Sequence, residues 1–367
     1  MKYLSFLSLS SIWGKVWPVL IAILFFGLII FIHELGHFIF AKLFKVKVNE
    51  FALGMGPTLI KRKKNDTTYA LRLFPIGGFV AMEGEDEDSE VEGSFSSKPV
   101  WQRMIITAAG ATFNLILGLV ICAILLSSSE LIATPVIRNF YETSVSNSEN
   151  GLREKDKILK VDGTRVYSAS YDLSYLMQRS GDNKFDFTVL RDGEKVELKD
   201  VEFATKTGED GRQTIIYDFS IVGVVPTFKN VLSYTFSEAV SIGRMVYMSL
   251  FDLVTGHYKL SDLSGPVGTV QIIAEVASES VSQFDFSFLL QIMALITINI
   301  GLFNVLPIPA LDGGRLFFMF IELIFRKPVP QKYERWIHAA GMVLLLLFMA
   351  VISFSDILKL IQGKTYI

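Results

Sequence analysis

Four long stretches with no formal charge constrain the fold of this chain more than any other feature. A bilayer core of about 30 Å needs roughly 20 helical residues to cross it, and each stretch is close to or above that length. They are residues 16–32, 104–129, 286–311 and 336–355. With 51% hydrophobic and 20% charged residues, the chain is too apolar for an ordinary soluble protein. The sequence therefore predicts a polytopic α-helical membrane protein with about four transmembrane helices.

Lysine and arginine residues indicate how the chain crosses the membrane. The positive-inside rule places loops that are rich in these residues on the cytoplasmic side. Ten of them lie in the loop 42–103 and four in the loop 326–335, against four in the two tails together. We therefore expect both loops inside, and both termini outside together with the long polar region between the second and third stretches.

That outer region contains a candidate folded domain. Its clearest signature is GLREKDKILKVDGTRV at 151–166, a strand-like run that ends in the Asp162-Gly163 turn. The strand-like runs FDFTVL and TIIYDFSIVGVV follow. The region resembles a PDZ domain, which binds an extended chain as an added strand. Another small β-rich domain is the alternative.

Two further segments are predicted near the membrane surfaces. The charges at Glu238, Arg244 and Asp252 recur among apolar residues, which predicts an amphipathic helix on the outer surface. In the inner loop, strand-like runs on both sides of KRKKND predict a membrane-associated β-hairpin, and the acidic run EGEDEDSEVE after it is interpreted as a solvated loop. The sequence thus divides into four predicted regions. Residues 1–129 contain the first two spans and the hairpin loop, 130–228 form the PDZ-like domain, 229–285 form the amphipathic outer-surface segment, and 286–367 contain the last two spans.

The motif His33-Glu34-Leu35-Gly36-His37 carries the strongest chemical signal. Residues four apart share one face of a helix, so both imidazoles can bind one zinc ion. Glu34 lies about 100° round the helix, where it can take a proton from a water activated by the metal. A chance match is a weak rival, because the chain has only four histidines. Its single cysteine, Cys122, excludes an intrachain disulfide and a cysteine-based zinc site.

A third metal ligand is needed, because a catalytic zinc site usually has three protein ligands and a water. His257 and His338 are candidates. Asp312 in NVLPIPALDGGRLFF is the sharper one, because it is a carboxylate that ends an uncharged stretch. Prolines and glycines around it break the helix, which a membrane protein tolerates only where protein or water satisfies the backbone. In the predicted topology, Asp312 reaches the same side of the membrane as the motif.

Several segments together make the chain similar to the site-2 protease family, in its bacterial branch with a PDZ domain. They are HELGH, RLFPIGGFVAM, AGATFN, the PDZ-like region, LSGPVG, and the pattern NxxPxPxLDGG that begins at Asn304. The resemblance implies one Zn²⁺ per chain, bound by His33, His37 and Asp312, with Glu34 as the general base. A family proline is replaced by Ala111, so we expect a straighter second span.

The resemblance also implies the function and the location. It implies a zinc-dependent intramembrane endopeptidase of regulated intramembrane proteolysis, in the bacterial inner membrane, with the termini and the PDZ domain extracytoplasmic. Its substrates would be single-span membrane proteins, either anti-sigma factors already trimmed by another protease or remnant signal peptides. The outer domain would exclude untrimmed substrates by its bulk. The net charge of -2 implies no broad basic face, so no nucleic-acid partner is expected.

A substrate helix must be unwound before cleavage, because its peptide bonds are hidden within its own hydrogen bonds. Unwinding in lipid leaves backbone groups unsatisfied, at a cost of several kcal/mol each. We predict that the substrate pairs with the hairpin edge at Leu73, Gly77 and Gly78, where glycine permits close backbone approach. The resemblance implies that Asn299 and Asn304 hold its other side.

Two other functions remain open on the sequence. A membrane zinc protease of another type would use a glutamate ligand on a later helix, for which Glu275 and Glu322 are candidates. A PDZ-bearing membrane adaptor would hold a structural zinc. Structural sites have four protein ligands, however, and Glu34 would then have no task.

Overall fold

The computed structural model describes residues 9–85, 89, 91–179, 182–207, 213–256 and 263–362. The described residues form two compact units. The helical unit comprises Met1–Gly118 and Leu253–Ile367, and the β unit comprises Leu119–Asp252. The predicted candidate ligand His257 lies outside the described residues.

The helical unit begins with a long helix and a β-hairpin. Its first elements are α1 Leu9–Leu43, β1 Val48–Lys64, β2 Thr67–Met82 and α2 Val100–Ser128. The predicted hairpin is confirmed, and its turn is the pair Asn65-Asp66 with φ of 48° and 62°. Both residue types tolerate the positive φ that a tight hairpin turn requires.

The hairpin is bent so that one part of β1 has partners on both sides. Phe51 aligns with Val80 and also with Tyr69, which places the segment 48–53 between two parts of β2. Buried apolar residues of the hairpin share a core with α1 and α2, including Ala41, Val80 and Ile106. This core fixes the segment 78–82 beside the two helices.

The β unit is built on an antiparallel sheet. Its elements are β3 Ile132–Phe140, β4 Lys157–Val161, β5 Thr164–Arg165, a π-helical turn Ala169–Leu173, α3 Ser174–Arg179, β6 Lys184–Arg191, β7 Glu194–Glu202, β8 Thr205–Thr207, β9 Gln213–Ile215, β10 Phe219–Val224 and α4 Phe228–Val254. The strand order is β10-β3-β4-β6-β7, with β5 beside β4. The predicted turn after β4 is present, with φ of 45° at Asp162 and 73° at Gly163. Phe185, Phe187 and Phe203 fill the core.

Helix α4 is amphipathic, as predicted, but its charges do not face water. Glu238 is 4% exposed and Asp252 is fully buried. Ser168 donates to Glu238 at 2.7 Å, and Arg244 pairs with Asp172 at 2.6 Å. The polar face of α4 therefore packs on the rest of the β unit. Its exposed face is apolar and includes Phe228, Leu232, Phe236, Val240 and Phe251.

Four more helices belong to the described part of the helical unit. They are α5 Pro266–Gln283, α6 Ser287–Val305, α7 Asp312–Phe325 and α8 Gln331–Ile361. Asp356 of α8 accepts hydrogen bonds from the Gly265 and Gly268 amides at 3.0 and 2.8 Å, at the beginning of α5. This contact gives the LSGPVG segment a structural role, because the carboxylate satisfies amides that the helix leaves unpaired.

Four helices within the described ranges are long and apolar enough to cross a membrane. The candidate spans are Val16–Leu43, Val100–Ser128, Ser287–Val305 and Gln331–Ile361. The prediction of a polytopic membrane protein is confirmed at this level. The third helix ends at Val305, before the uncharged stretch ends, because Pro307 and Pro309 cannot continue it. A new helix begins at Asp312.

Candidate metal centre

Three side chains from two distant parts of the chain meet in the helical unit. His33 and His37 lie one turn apart on α1, and Asp312 is the first residue of α7. The Nε2 atoms of the two histidines are 3.2 Å apart, and each is 3.2 Å from Oδ2 of Asp312. Among the described residues, these are the only three His, Cys, Asp or Glu side chains grouped closely enough to hold a metal ion.

The triangle has the size that a zinc site requires. Zinc bonds to nitrogen and carboxylate oxygen are about 2.0–2.2 Å long, so the ligand atoms of a tetrahedral site lie roughly 3.3–3.5 Å apart. Oδ2 of Asp312 is buried and has no hydrogen-bond donor within the described chain. Three electron-pair donors converge here at nearly this spacing, so the residues fit a zinc ion.

Helix α2 makes the close packing of the two histidines possible. A Cβ atom on Gly110 would lie 2.3 Å from Nε2 of His37 and 2.8 Å from Cε1 of His33. A Cβ atom on Gly36 would lie 2.5 Å from the Ala109 carbonyl oxygen. The absence of these side chains allows the backbones of α1 and α2 to approach closely, as small residues do between membrane helices.

The loop before Asp312 is held by α8. Ala310 has φ of 81°, in the left-handed region that favours glycine. Its amide donates to Nδ1 of His338 at 3.1 Å, and a Cβ on Gly341 would collide with Pro309. His338, a predicted candidate ligand, is therefore not part of the metal triangle and supports the loop that carries Asp312. The N-terminal position in α7 also favours a carboxylate electrostatically.

A cavity of about 200 Å³ opens beside the triangle. Glu34 lines it together with both histidines and Asp312, as the motif predicts for a residue that acts on water. Gly78 also lines it, and a Cβ there would lie 3.0 Å from Cγ of Glu34. The adjacent Phe79, Val80 and Met82 complete the β2 wall. The hairpin therefore borders the candidate site.

Four predicted substrate-binding residues are not among those that line this cavity. Leu73 is exposed, Gly77 has φ of 81° and faces Met55, and Asn299 and Asn304 lie on α6. The carboxamide oxygen of Asn299 is buried without a hydrogen-bond partner in the described part of the chain. Of the five predicted substrate residues, the structure brings only Gly78 to the cavity.

The alternative glutamate ligands are engaged elsewhere. Glu322 pairs with Arg103 at 2.6 Å, and Glu275 accepts from Gln271 at 2.6 Å. Neither carboxylate lines the cavity beside the histidines. The geometry therefore favours Asp312 over these two residues.

Sequence reasoning missed several residues at this site. Glu85 and Arg315 both line the cavity and form an ion pair, so at least this part of the acidic run is not simply a solvated loop. The sequence could have indicated that Arg315 lies near the site, because it follows Asp312 by one helical turn on α7. Asn114 is fully buried and lies against His33, a contact that depends on how α1 and α2 cross.

Comparisons with known proteins find relatives that match nearly the whole chain. The family model described as peptidase family M50 matches residues 21–348. A zinc metalloprotease of Fusobacterium nucleatum is 37% identical over 357 residues, which cover 93% of this chain and 98% of that protein. A zinc metalloprotease of Clostridium perfringens is 34% identical over 344 residues, with 93% and 98% covered. The regulator of sigma-W protease RasP of Bacillus subtilis is 30% identical over 431 residues, with 93% and 98% covered.

Proposed function

The chain belongs to peptidase family M50 and is a zinc metalloprotease of the site-2 type, and from this premise we propose that it cleaves other membrane proteins within the bilayer. The observation that carries the proposal is the triangle of His33, His37 and Asp312. The two histidines lie on α1, which is long enough to cross a membrane, and Asp312 follows the loop after α6, which is also long enough. These three residues would hold the zinc.

The roles of the surrounding residues follow from their positions. Bound zinc would supply Lewis-acid polarisation and a water of lowered pKa. Glu34 borders the same cavity without belonging to the triangle, so its carboxylate would take the proton from the attacking water. The tight α1–α2 crossing and the β2 wall would limit the entry of bulk water.

We assign the substrate class by analogy with a relative. RasP of Bacillus subtilis is named as the regulator of sigma-W protease, which supports membrane-bound regulatory proteins such as anti-sigma factors as substrates. The β unit would be the extracytoplasmic PDZ domain, and the hairpin and the loop after α7 would lie on the cytoplasmic side. This orientation follows the distribution of Lys and Arg in the loops.

Zinc content and cleavage of a membrane-spanning substrate test the proposal on one set of variants. His33→Ala and Asp312→Ala should lose the metal and all cleavage, because each removes a ligand. Glu34→Gln should keep the metal and lose cleavage by about 10²–10⁴-fold, the usual range for general acid–base help.

Glu275→Gln is the matched control for these variants. It removes a carboxylate that the alternative protease type would need as a ligand, and zinc and cleavage should both be retained. Full zinc occupancy in His33→Ala or Asp312→Ala would exclude the ligand set. Cleavage of a soluble peptide, without any cleavage of membrane-spanning substrates, would exclude the intramembrane activity.

A further inference from the structure

One face of α2 contacts both histidines through three residues spaced four apart. Ile106 lies against His37, Gly110 beneath both rings, and Asn114 against His33. Nδ1 of His37 donates to the Ile106 carbonyl at 2.8 Å. Because one ring nitrogen carries the proton, the neutral imidazole keeps its lone pair on Nε2, the atom in the metal triangle.

His33 needs the same proton arrangement, and among the described residues Asn114 is the one placed to impose it. The carboxamide of Asn114 lies 3.3 Å from Nδ1 of His33, and this is the polar contact that Asn114 makes within the described chain. An amide nitrogen that donates to Nδ1 would force the proton of a neutral imidazole onto Nε2. That proton would lie on the atom that faces Asp312 and would block the metal triangle.

A half-turn of the carboxamide about its Cβ–Cγ bond removes this conflict at the metal triangle. Its nitrogen and oxygen exchange places at almost no steric cost, because the two atoms are nearly the same size. Oδ1 then accepts from Nδ1–H of His33, and Nε2 of His33 keeps its lone pair for the metal. Histidines that bind metals usually donate their other ring nitrogen to an oxygen acceptor in this way.

We propose that Asn114 is a positioning residue of the metal centre, which fixes the tautomer and the ring orientation of His33 as an acceptor from Nδ1–H. The inference rests on the proposed ligand set. It assigns α2 a share in the metal chemistry through its stripe of Ile106, Gly110 and Asn114. A buried asparagine in a span is costly, and this hydrogen bond offsets part of that cost.

The test compares two substitutions of similar size at Asn114, one that removes the hydrogen-bond acceptor and one that keeps only the acceptor. Asn114→Leu removes the acceptor, and Asn114→Asp keeps it without a donor. The full chain in detergent micelles is loaded with zinc, and zinc release into excess chelator is followed. Asn114→Leu should weaken zinc binding by roughly 10–100-fold, the usual loss on removing such a partner. Asn114→Asp should bind zinc as tightly as the unaltered chain does.

Cobalt substitution gives a spectroscopic measure that a general packing defect would not reproduce. The visible absorption of the Co²⁺ protein should be unaltered in Asn114→Asp and changed in Asn114→Leu. Thr112→Val is the control, because Thr112 is exposed on the same helix and donates to its own helix backbone. It should match the unaltered chain in both measurements.

The outcomes separate this inference from the proposed ligand set. If His33→Ala loses zinc and Asn114→Leu retains it with unaltered affinity, the ligand set stands and the role of Asn114 is wrong. Equal loss in Asn114→Leu and Asn114→Asp also overturns the role, because an acceptor would then not suffice. If Asn114→Leu lacks cooperative thermal unfolding, Asn114→Ala takes its place. Failure of both to fold would overturn the inference, since the residue would then serve the fold.

Discussion

At the scale of single residues, the candidate site depends on two glycines as well as on the side chains that form the triangle. Gly36 and Gly110 lie where α1 and α2 cross, and a methyl group on either would meet backbone or imidazole atoms closer than 3 Å. The ligand triangle needs this crossing distance, because the histidine rings lie against α2. The packing of both histidines at the candidate site therefore requires a glycine at position 110.

Gly110→Ala should abolish stoichiometric zinc binding, because the added methyl would lie 2.3 Å from Nε2 of His37. The measurement is zinc content after purification, together with cleavage of a membrane-spanning substrate. Gly27→Ala is the matched control on α1, since a Cβ there meets nothing within 4 Å among the described residues, and it should retain the metal. Full zinc occupancy in Gly110→Ala would contradict the tight crossing.

The sequence predicted the residues of the triangle better than the residues around it. His33 and His37 follow from helical spacing, and Asp312 from the cost of a carboxylate at the end of an apolar stretch. The contacts of Asn114 and Arg315 require the register between helices far apart in the chain. Local periodicity carries no information about that register, so sequence reasoning could not assign their partners.

At the scale of secondary-structure elements, the segment of β2 at the cavity narrows the proposed mode of substrate binding. Residues 78–82 pair with 48–53 on one side, and no other described strand pairs with them. We therefore expect a substrate strand to extend the open side of this segment and not the region around Leu73. Sequence reasoning found the hairpin but not this bend, which depends on positive φ at Gly54, Gly56 and Gly77.

Disulfide crosslinking should place the bound substrate at this edge. Phe79→Cys lines the cavity and should crosslink to a cysteine near the cleavage site of the substrate, whereas Leu73→Cys should crosslink weakly. Both variants are made with Cys122→Ser, which removes the single native cysteine, and with Glu34→Gln to prevent turnover. Preferential crosslinking at Leu73 would instead support substrate binding near that residue. The absence of crosslinking at both positions would exclude strand addition to β2.

Helix α4 shows why the orientation of an amphipathic helix is hard to predict. Its charges indicate a polar face, but whether that face meets water or protein depends on partners elsewhere in the chain. Here Ser168, Asp172 and the Arg165 carbonyl supply those partners. Burial raises the pKa of Glu238 to about 7; the hydrogen bond from Ser168 opposes this rise, and the nearby charge of Asp172 adds to it.

This raised pKa predicts a pH-dependent stability of the β unit. The folded state binds the Glu238 proton more tightly than the unfolded state, so the contribution is full below about pH 4.5 and is lost as pH rises through about 7. The free energy of unfolding of the full chain, measured with denaturant, should therefore change less between pH 5 and pH 8 in Glu238→Gln than in the unaltered chain. Identical pH dependence in the two proteins would contradict the raised pKa of Glu238.

At the scale of the whole molecule, the β unit has the form of an insertion whose sheet ends lie side by side. Ile132 at the beginning of β3 aligns with Val224 at the end of β10. A short linker can therefore replace the intervening chain without a large gap between the new ends. This geometry makes the proposed exclusion of untrimmed substrates directly testable.

Replacing residues 133–223 by a short Gly-Ser linker should permit cleavage of long, untrimmed substrates while cleavage of trimmed ones is retained. Glu238→Gln and Asp252→Asn are added, because these buried side chains would lose their partners. The control is the chain with these two substitutions and an intact β unit. If the shortened protein binds zinc and still rejects untrimmed substrates, exclusion by bulk is wrong.

The contact between Ala310 and His338 has a consequence for biosynthesis. His33 and His37 emerge early in translation, but the loop that carries Asp312 is completed only by α8, which is synthesised last among the described helices. A nascent chain therefore carries two of the candidate ligands before the support of the third has been synthesised. We therefore expect the newly made protein to lack a finished metal centre until α8 has docked, so that neighbouring membrane proteins meet the finished site only then.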